Sequence, residues 1–223
     1  MIKSFLILII FPIFLFSSQQ IILVVADDFN TSHAKLTLYE DSEVIFTTDV
    51  NIGKNGLAWG LGETLLSQKE DEPLKYEGDK KAPAGVFRLS TIFGYADKSD
   101  FKMPYLHTSK NLICVDDSNS PFYNQIIMQK GDEKSFEYMK RQDKQYELGL
   151  VVMHNKNALK MRGSCIFIHI QKEKNAATAG CTSMKHQDIK KILNWIDKDK
   201  NPLLIQVPRR SLQEIKKLYP QIK

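Results

Sequence analysis

The sequence predicts a mainly β domain with a few peripheral helices. Three observations support this fold class. Several short segments alternate apolar and polar residues with a period of two, which is typical of half-buried strands. Segments with helical spacing are few and lie near the carboxyl end. The candidate strands are also not separated by regular helices, so the chain lacks the strand–helix–strand alternation that a parallel sheet requires.

The strands are expected to follow one another from the amino end. Residues 21–25 are apolar and form the first candidate, and Asp41-Ser42 supply a hairpin turn between the next two. Pro83 and Gly85 are expected to turn the chain into another alternating strand. The remaining elements expected up to residue 207 are strands at 148–154, 166–170 and 203–207 and a short helix at 134–140.

Two further helices are expected in the last part of the chain. Apolar residues recur at helical spacing after Met184 and predict a helix that ends near Ile196. Residues 211–219 form a shorter amphipathic segment, with Ser211 as its expected cap.

Length and composition indicate one globular domain with a substantial core. The chain has 223 residues, of which 43% are hydrophobic, with a net charge of +5 and a pI of about 8.9. Basic residues near the carboxyl end raise the question of nucleic-acid binding. They are interspersed with acids, which favours a solvated face, so no nucleic-acid partner is expected. An acidic cell-wall polymer is compatible with this charge.

The first residues indicate export. Lys3 precedes an almost wholly apolar run, residues 5–16, followed by Ser17 and Ser18. This order is typical of a secretory signal, and the run is shorter than the roughly 20 residues of a membrane-spanning helix. We therefore predict a signal peptide at residues 1–18 and a domain at 19–223, exported to the periplasm or cell envelope. An uncleaved membrane anchor in the same segment is the alternative.

The segment from Gly163 to Met184 carries the candidate chemistry. Its isoleucines alternate with Cys165, Phe167 and His169, which predicts a strand whose isoleucines face the core and whose histidine faces the other side. Gly180 permits a tight turn directly before Cys181. We expect Cys181 near the amino end of the next helix, where a thiol pKa is lowered. A histidine on a neighbouring strand then accepts the thiol proton.

The surrounding motifs resemble the L,D-transpeptidase catalytic domain, the YkuD-type family of bacterial cell-wall enzymes. The resemblance runs in order from about Ile22 to about Val207. Each motif is weak alone, but the ordered set is specific. The main matching segments are Gly56-Leu57-Ala58-Trp59-Gly60, Glu77-Gly78-Asp79, Pro83-Ala84-Gly85-Val86-Phe87, Arg162-Gly163-Ser164, Ile166-Phe167, His169 and Thr178-Ala179-Gly180-Cys181.

The resemblance implies a β-sandwich or barrel domain and assigns roles to particular residues. Cys181 is the implied nucleophile and His169 the general base, with no cofactor and no metal. Backbone N–H groups of Gly180 and Thr182 are the expected oxyanion donors. The residues expected to bind substrate or orient the histidine are Arg162, Gly163, Ser164 and Thr178. Two positions depart from the common pattern: Ser183 replaces a frequent arginine, and Ala82 replaces a frequent threonine.

The same resemblance implies a substrate. The partner is peptidoglycan, and the donor is a stem tetrapeptide that ends in meso-diaminopimelate and D-alanine. An amine acceptor makes the protein a transpeptidase, whereas water makes it an L,D-carboxypeptidase. A non-catalytic peptidoglycan-binding module is a third interpretation, since it needs the same export signal and fold but no reactive thiol.

Two interpretations of the cysteines remain open at this stage. Cys165, His169, Cys181 and His186 have spacing that suggests zinc, but four residues along a strand span about 13 Å, too far for one ion. With Cys181 as nucleophile, Cys114 and Cys165 are left to form a disulfide or to remain two buried free thiols, and free thiols are the default expectation.

Overall fold

The computed structural model describes residues 19–223, so the predicted signal segment at residues 1–18 lies outside the described part. The strands of the described part are β1 Gln20–Ala26, β2 His33–Glu40, β3 Glu43–Asn51, β4 Leu57–Trp59, β5 Ala82–Gly94, β6 Tyr105–His107, β7 Leu112–Val115, β8 Ile126–Met128, β9 Phe136–Tyr138, β10 Leu148–Val152, β11 Phe167–Ile170, β12 Thr182–Met184 and β13 Leu203–Pro208. Its α-helices are α1 His186–Trp195 and α2 Leu212–Leu218.

The strands form a large sheet that closes on itself and a small sheet beside it. In the large sheet the order is β10-β11-β12-β3-β2-β1-β13-β5-β4, and β6 also pairs with β5. Strand β10 pairs with both β11 and β5, which closes the sheet into a barrel-like ring. The small sheet has the order β8-β7-β9. The predicted mainly β class with a barrel-like sheet and peripheral helices is confirmed.

The hairpin between β2 and β3 shows how local sequence sets the register. Glu40 pairs with Glu43, so the connection has two residues. Asp41 and Ser42 both have positive φ, 50° and 68°. Two left-handed residues in succession make the type of turn whose twist matches that of the strands. The predicted turn at Asp41-Ser42 is confirmed.

Two apolar clusters divide the interior. The main core lies inside the ring and receives the apolar face of α1, including Ile189, Ile192 and Leu193. A second cluster, which we call the minor cluster, lies between the ring and the small sheet. Its members are Phe93, Leu112, Cys114, Met139, Tyr146, Cys165, Phe167 and Cys181.

Strand β11 lies between these clusters and separates them by its period of two. Ile166, just before the strand, and Ile168 belong to the main core. Cys165 and Phe167 belong to the minor cluster. The predicted strand and its two faces are therefore confirmed.

Several local predictions are wrong. Residues 134–140 do not form a helix: Phe136–Tyr138 is β9, because it pairs with β7 in the small sheet. Pro83 and Gly85 lie inside β5 instead of in a turn, with Gly85 at a φ of 146°. The Ser211 hydroxyl does not cap α2; it is buried without a hydrogen-bond partner in the described part of the chain. The helix expected after Met184 and the helix within 211–219 are confirmed as α1 and α2.

Cys114 and Cys165 form a disulfide, with their Cα atoms 6.0 Å apart. The default expectation of two buried free thiols is therefore wrong. The bond joins β7 of the small sheet to the residues that enter β11. Among residues 19–223, no helix has both the length and the apolar character needed to cross a membrane.

Candidate active site

Cys181 lies at the entrance of a strand, which corrects the expected position at a helix amino end. It directly precedes β12, and α1 begins only at His186. A helix dipole acts within its first turn, so it does not reach the thiol across β12. The expected helix-induced lowering of the thiol pKa is therefore wrong.

The Cys181 thiol is buried and held by two backbone groups. Its Sγ accepts a hydrogen bond from the Phe167 N–H at 3.3 Å. The thiol in turn donates to the Cys165 carbonyl at 3.5 Å. Burial, with a smaller contribution from the charge of Glu137, raises the pKa of Cys181 to about 12. The thiol is therefore neutral in the resting protein.

His169 is also buried, on the face of its strand that the sequence predicted to point away from the main core. Its Nδ1 lies 2.8 Å from the carbonyl oxygen of Ile170, the next residue. A carbonyl only accepts, so Nδ1 carries the proton and Nε2 is left with a free lone pair. Burial, with a smaller contribution from the Arg141 charge, lowers the pKa of His169 to about 4. The ring is therefore a neutral base, as proton abstraction requires.

The two side chains come from neighbouring parallel strands. In the register of β11 and β12, Ile168 pairs with Thr182 and His169 with Ser183. Cys181 precedes the first of these pairs, so it lies beside Phe167, two residues before His169. Within the described residues, no hydrogen bond joins the Cys181 thiol to the His169 ring. The resting arrangement is therefore a neutral thiol and a neutral imidazole, each held by backbone groups.

A cavity of about 210 Å³ opens onto Cys181. Its polar lining includes three carboxylates, two lysines and Ser164, and hydroxyl groups bind two of the carboxylates. Ser164 donates to Glu77 at 2.7 Å, and Tyr146 donates to Glu137 at 2.5 Å. Cys181 is thus a candidate nucleophile that lines a cavity with polar walls.

The turn before Cys181 is held by Thr178. The Thr178 hydroxyl donates to the Cys181 carbonyl at 2.6 Å and accepts from the Gly180 N–H at 3.1 Å. Gly180 has a φ of 150°, which favours glycine. The Thr182 hydroxyl donates to Gln206 at 2.7 Å, within the buried part of the domain. The Gly180 N–H must leave Thr178 before it can bind an oxyanion, so the oxyanion assignment stays a prediction.

The segment Arg162-Gly163-Ser164 does not orient His169. Arg162 donates to the Lys75 carbonyl at 3.2 Å, and its own carbonyl lies 2.8 Å from Nε2 of His154. The Gly163 carbonyl accepts from Asn155 at 2.9 Å. Of the three residues, only Ser164 lines the cavity. The carbonyl that orients His169 is that of Ile170, so the expectation that Gly163 or Ser164 does so is wrong.

The zinc interpretation fails on Cys165. Its sulfur is bonded to Cys114, and a disulfide sulfur lacks the thiolate that zinc binds. The disulfide instead brings the small sheet against the site.

Sequence reasoning missed Tyr146 and Glu137. Tyr146 lies in the loop before β10, and Glu137 lies on β9 opposite Cys114. Neither belongs to a motif: Glu137 reaches the site on the small sheet, and Tyr146 reaches it on the loop before β10. The only signal in the sequence was the position of Tyr146, an aromatic residue just before β10, because β10 pairs with the strand that carries His169.

Fold and site together define a barrel-like β domain with a buried cysteine and histidine on adjacent strands. The comparison with known families then identifies the class. The YkuD family, the L,D-transpeptidase catalytic domain, matches residues 22–205. The match covers most of the chain, so the chain belongs to this family. No curated protein and no solved structure gives a significant match.

Proposed function

We propose that this protein is an exported cysteine acyltransferase that acts on peptidoglycan stem peptides. Membership of the L,D-transpeptidase family supports an enzyme of this class. The observation that carries the proposal is the pair on adjacent strands: Cys181 at the mouth of β12, on the cavity, and His169 on β11 with Nδ1 bound to a carbonyl. Export to the periplasm or cell envelope rests on the predicted signal at residues 1–18.

The first chemical step forms a thioester. The Cys181 thiol gives its proton to Nε2 of His169 while Sγ bonds to the carbonyl carbon between diaminopimelate and D-alanine. Because the thiol pKa is high and the imidazole pKa is low, the proton moves as the carbon–sulfur bond forms. The carbon–nitrogen bond then breaks, and His169 returns the proton to the departing D-alanine amine.

The second step releases the enzyme. An amine of another stem attacks the thioester carbonyl and gives a proton to His169. The carbon–sulfur bond breaks, and His169 returns the proton to Cys181 as the thiol. This outcome is transpeptidation, and attack by water gives the carboxypeptidase outcome instead. Backbone N–H groups next to Cys181 are the proposed oxyanion donors, and each such donor typically contributes about 3 kcal/mol to the transition state.

Incubation of the purified protein with disaccharide-tetrapeptide, followed by mass spectrometry, tests this function. We expect a cross-linked dimer and free D-alanine. Tripeptide without dimer means that water resolves the thioester. Unchanged substrate contradicts the proposal and favours a binding module. Cys181→Ala is the matched control, because it removes the sulfur and leaves the Cys181 carbonyl that accepts from the Thr178 hydroxyl.

A further inference from the structure

Tyr146 packs against the His169 ring and shares the minor cluster with Cys181. Its ring meets the His169 ring edge to face, with centroids 5.1 Å apart. It also contacts the Phe167 ring at 5.5 Å, and the Phe167 N–H is the group that donates to Cys181 Sγ. Tyr146 and Cys181 are both buried in the minor cluster. The Tyr146 ring therefore contacts the proposed base and the side chain of the residue whose backbone N–H binds the nucleophile.

The Tyr146 ring is fixed from several sides. The Arg141 guanidinium lies over it at 5.0 Å from the centroid, and Asp143 holds that guanidinium at 2.6 Å. Phe93 meets the ring edge to face at 5.7 Å. A ring restrained in this way limits the orientations open to the imidazole packed against it.

The Tyr146 hydroxyl is bound to a carboxylate that lines the same cavity as Cys181. In the resting protein it donates to Glu137 Oε2 at 2.5 Å. Tyr146 and Cys181 pack in the same buried cluster, and Glu137 and Cys181 line the same cavity. The Glu137 charge raises the pKa of the Cys181 thiol, whereas a hydrogen bond from Tyr146 lowers it. Of the other charged groups near the thiol, Lys75 also lowers its pKa. As Cys181 ionises, its thiolate becomes a stronger acceptor than the thiol was.

We propose that Tyr146 is a positioning residue, which orients the His169 ring and donates a hydrogen bond from its hydroxyl to the Cys181 sulfur as that sulfur loses its proton to His169, while Glu137 restrains the hydroxyl in the resting protein. The inference rests on the function proposed above and names the groups that support its first step. It also gives the small sheet a role, since β9 carries Glu137 to the site.

Alkylation of Cys181 by iodoacetamide tests the proposal without any peptidoglycan substrate. The rate is measured against pH by intact mass for the wild type, Tyr146→Phe, Glu137→Gln and Tyr95→Phe. Tyr95 is the matched control, because its hydroxyl donates to a backbone carbonyl, that of Arg141, at 2.7 Å. We expect alkylation to slow about tenfold in Tyr146→Phe, the loss of one hydrogen bond to a charged group. It should accelerate in Glu137→Gln and remain within about twofold of the wild type in Tyr95→Phe.

Turnover supplies a second readout. With disaccharide-tetrapeptide, Tyr146→Phe should lower kcat about tenfold and change KM by less than about twofold, since the hydroxyl acts on the thiolate and not on the bound ground state. Wild-type alkylation and turnover in Tyr146→Phe would overturn the proposal, as would slower alkylation in Glu137→Gln. If Tyr146→Phe does not fold, Glu137→Gln decides alone. A wild type that alkylates but leaves peptidoglycan unchanged contradicts the proposed function, and the alkylation rates still judge Tyr146.

Discussion

Reduction of the Cys114–Cys165 disulfide should destabilise the domain by about 4 kcal/mol. The bond closes a loop with a sequence separation of 51 residues. In the chain-entropy model, a cross-link of this length removes about 14 cal/mol/K from the unfolded ensemble, or about 4 kcal/mol at 25 °C. With a urea m-value of about 2 kcal/mol/M, the unfolding midpoint should fall by about 2 M.

Urea unfolding followed by tryptophan fluorescence measures this difference. Wild-type protein is compared with and without dithiothreitol, beside the double variant Cys114→Ala/Cys165→Ala and the control Cys181→Ala. The reductant should lower the midpoint of the wild type and of Cys181→Ala, and it should leave the double variant unchanged. Thiol counting by mass confirms three free thiols after reduction. An unchanged wild-type midpoint with three confirmed thiols would refute the entropic reasoning.

Three further predictions concern the catalytic pair and acid stability. Cys181→Ser should lose both turnover and iodoacetamide labelling at this position, because a serine hydroxyl is the weaker nucleophile; wild-type turnover would exclude Cys181. His169→Gln should lower kcat by about 10²–10⁴-fold while circular dichroism stays native; an unchanged kcat would exclude His169 as the base. Burial lowers the pKa of His154 and His169 from 6.5 to about 4. Each histidine therefore contributes about 3 kcal/mol to the free energy of unfolding, which is fully present above pH 6.5 and is lost as the pH falls to 4. Equal urea midpoints at pH 7 and pH 4.5 would contradict this.

The features that the sequence predicted correctly depend on residues that are close together in the chain. The alternation around His169 gave the strand and both of its faces, because side-chain direction in a strand follows the order of residues alone. Asp41 and Ser42 likewise gave the hairpin. The ordered family motifs, spread from Ile22 to Val207, gave the family.

Features that depend on pairing between segments far apart in the chain could not be predicted from the sequence. Residues 136–138 are a strand because β7 lies beside them, and nothing within the segment states this. The disulfide required a distance between two cysteines far apart in the chain. Glu137 and Tyr146 reach Cys181 through the small sheet and a loop, so no local pattern marks them. The low histidine pKa likewise follows from burial that only the assembled fold provides.

The alternation along β11 also determines how an error in strand register would be detected. Alternate positions serve different purposes: Ile168 fills the main core, while Phe167 and His169 face the candidate site. A slip of one residue against β10 or β12 would turn the imidazole into the barrel and an isoleucine toward Cys181. Such a molecule would keep its strand content and much of its circular dichroism signal, but it would lose turnover. Turnover is therefore a sensitive reporter of strand register in this fold.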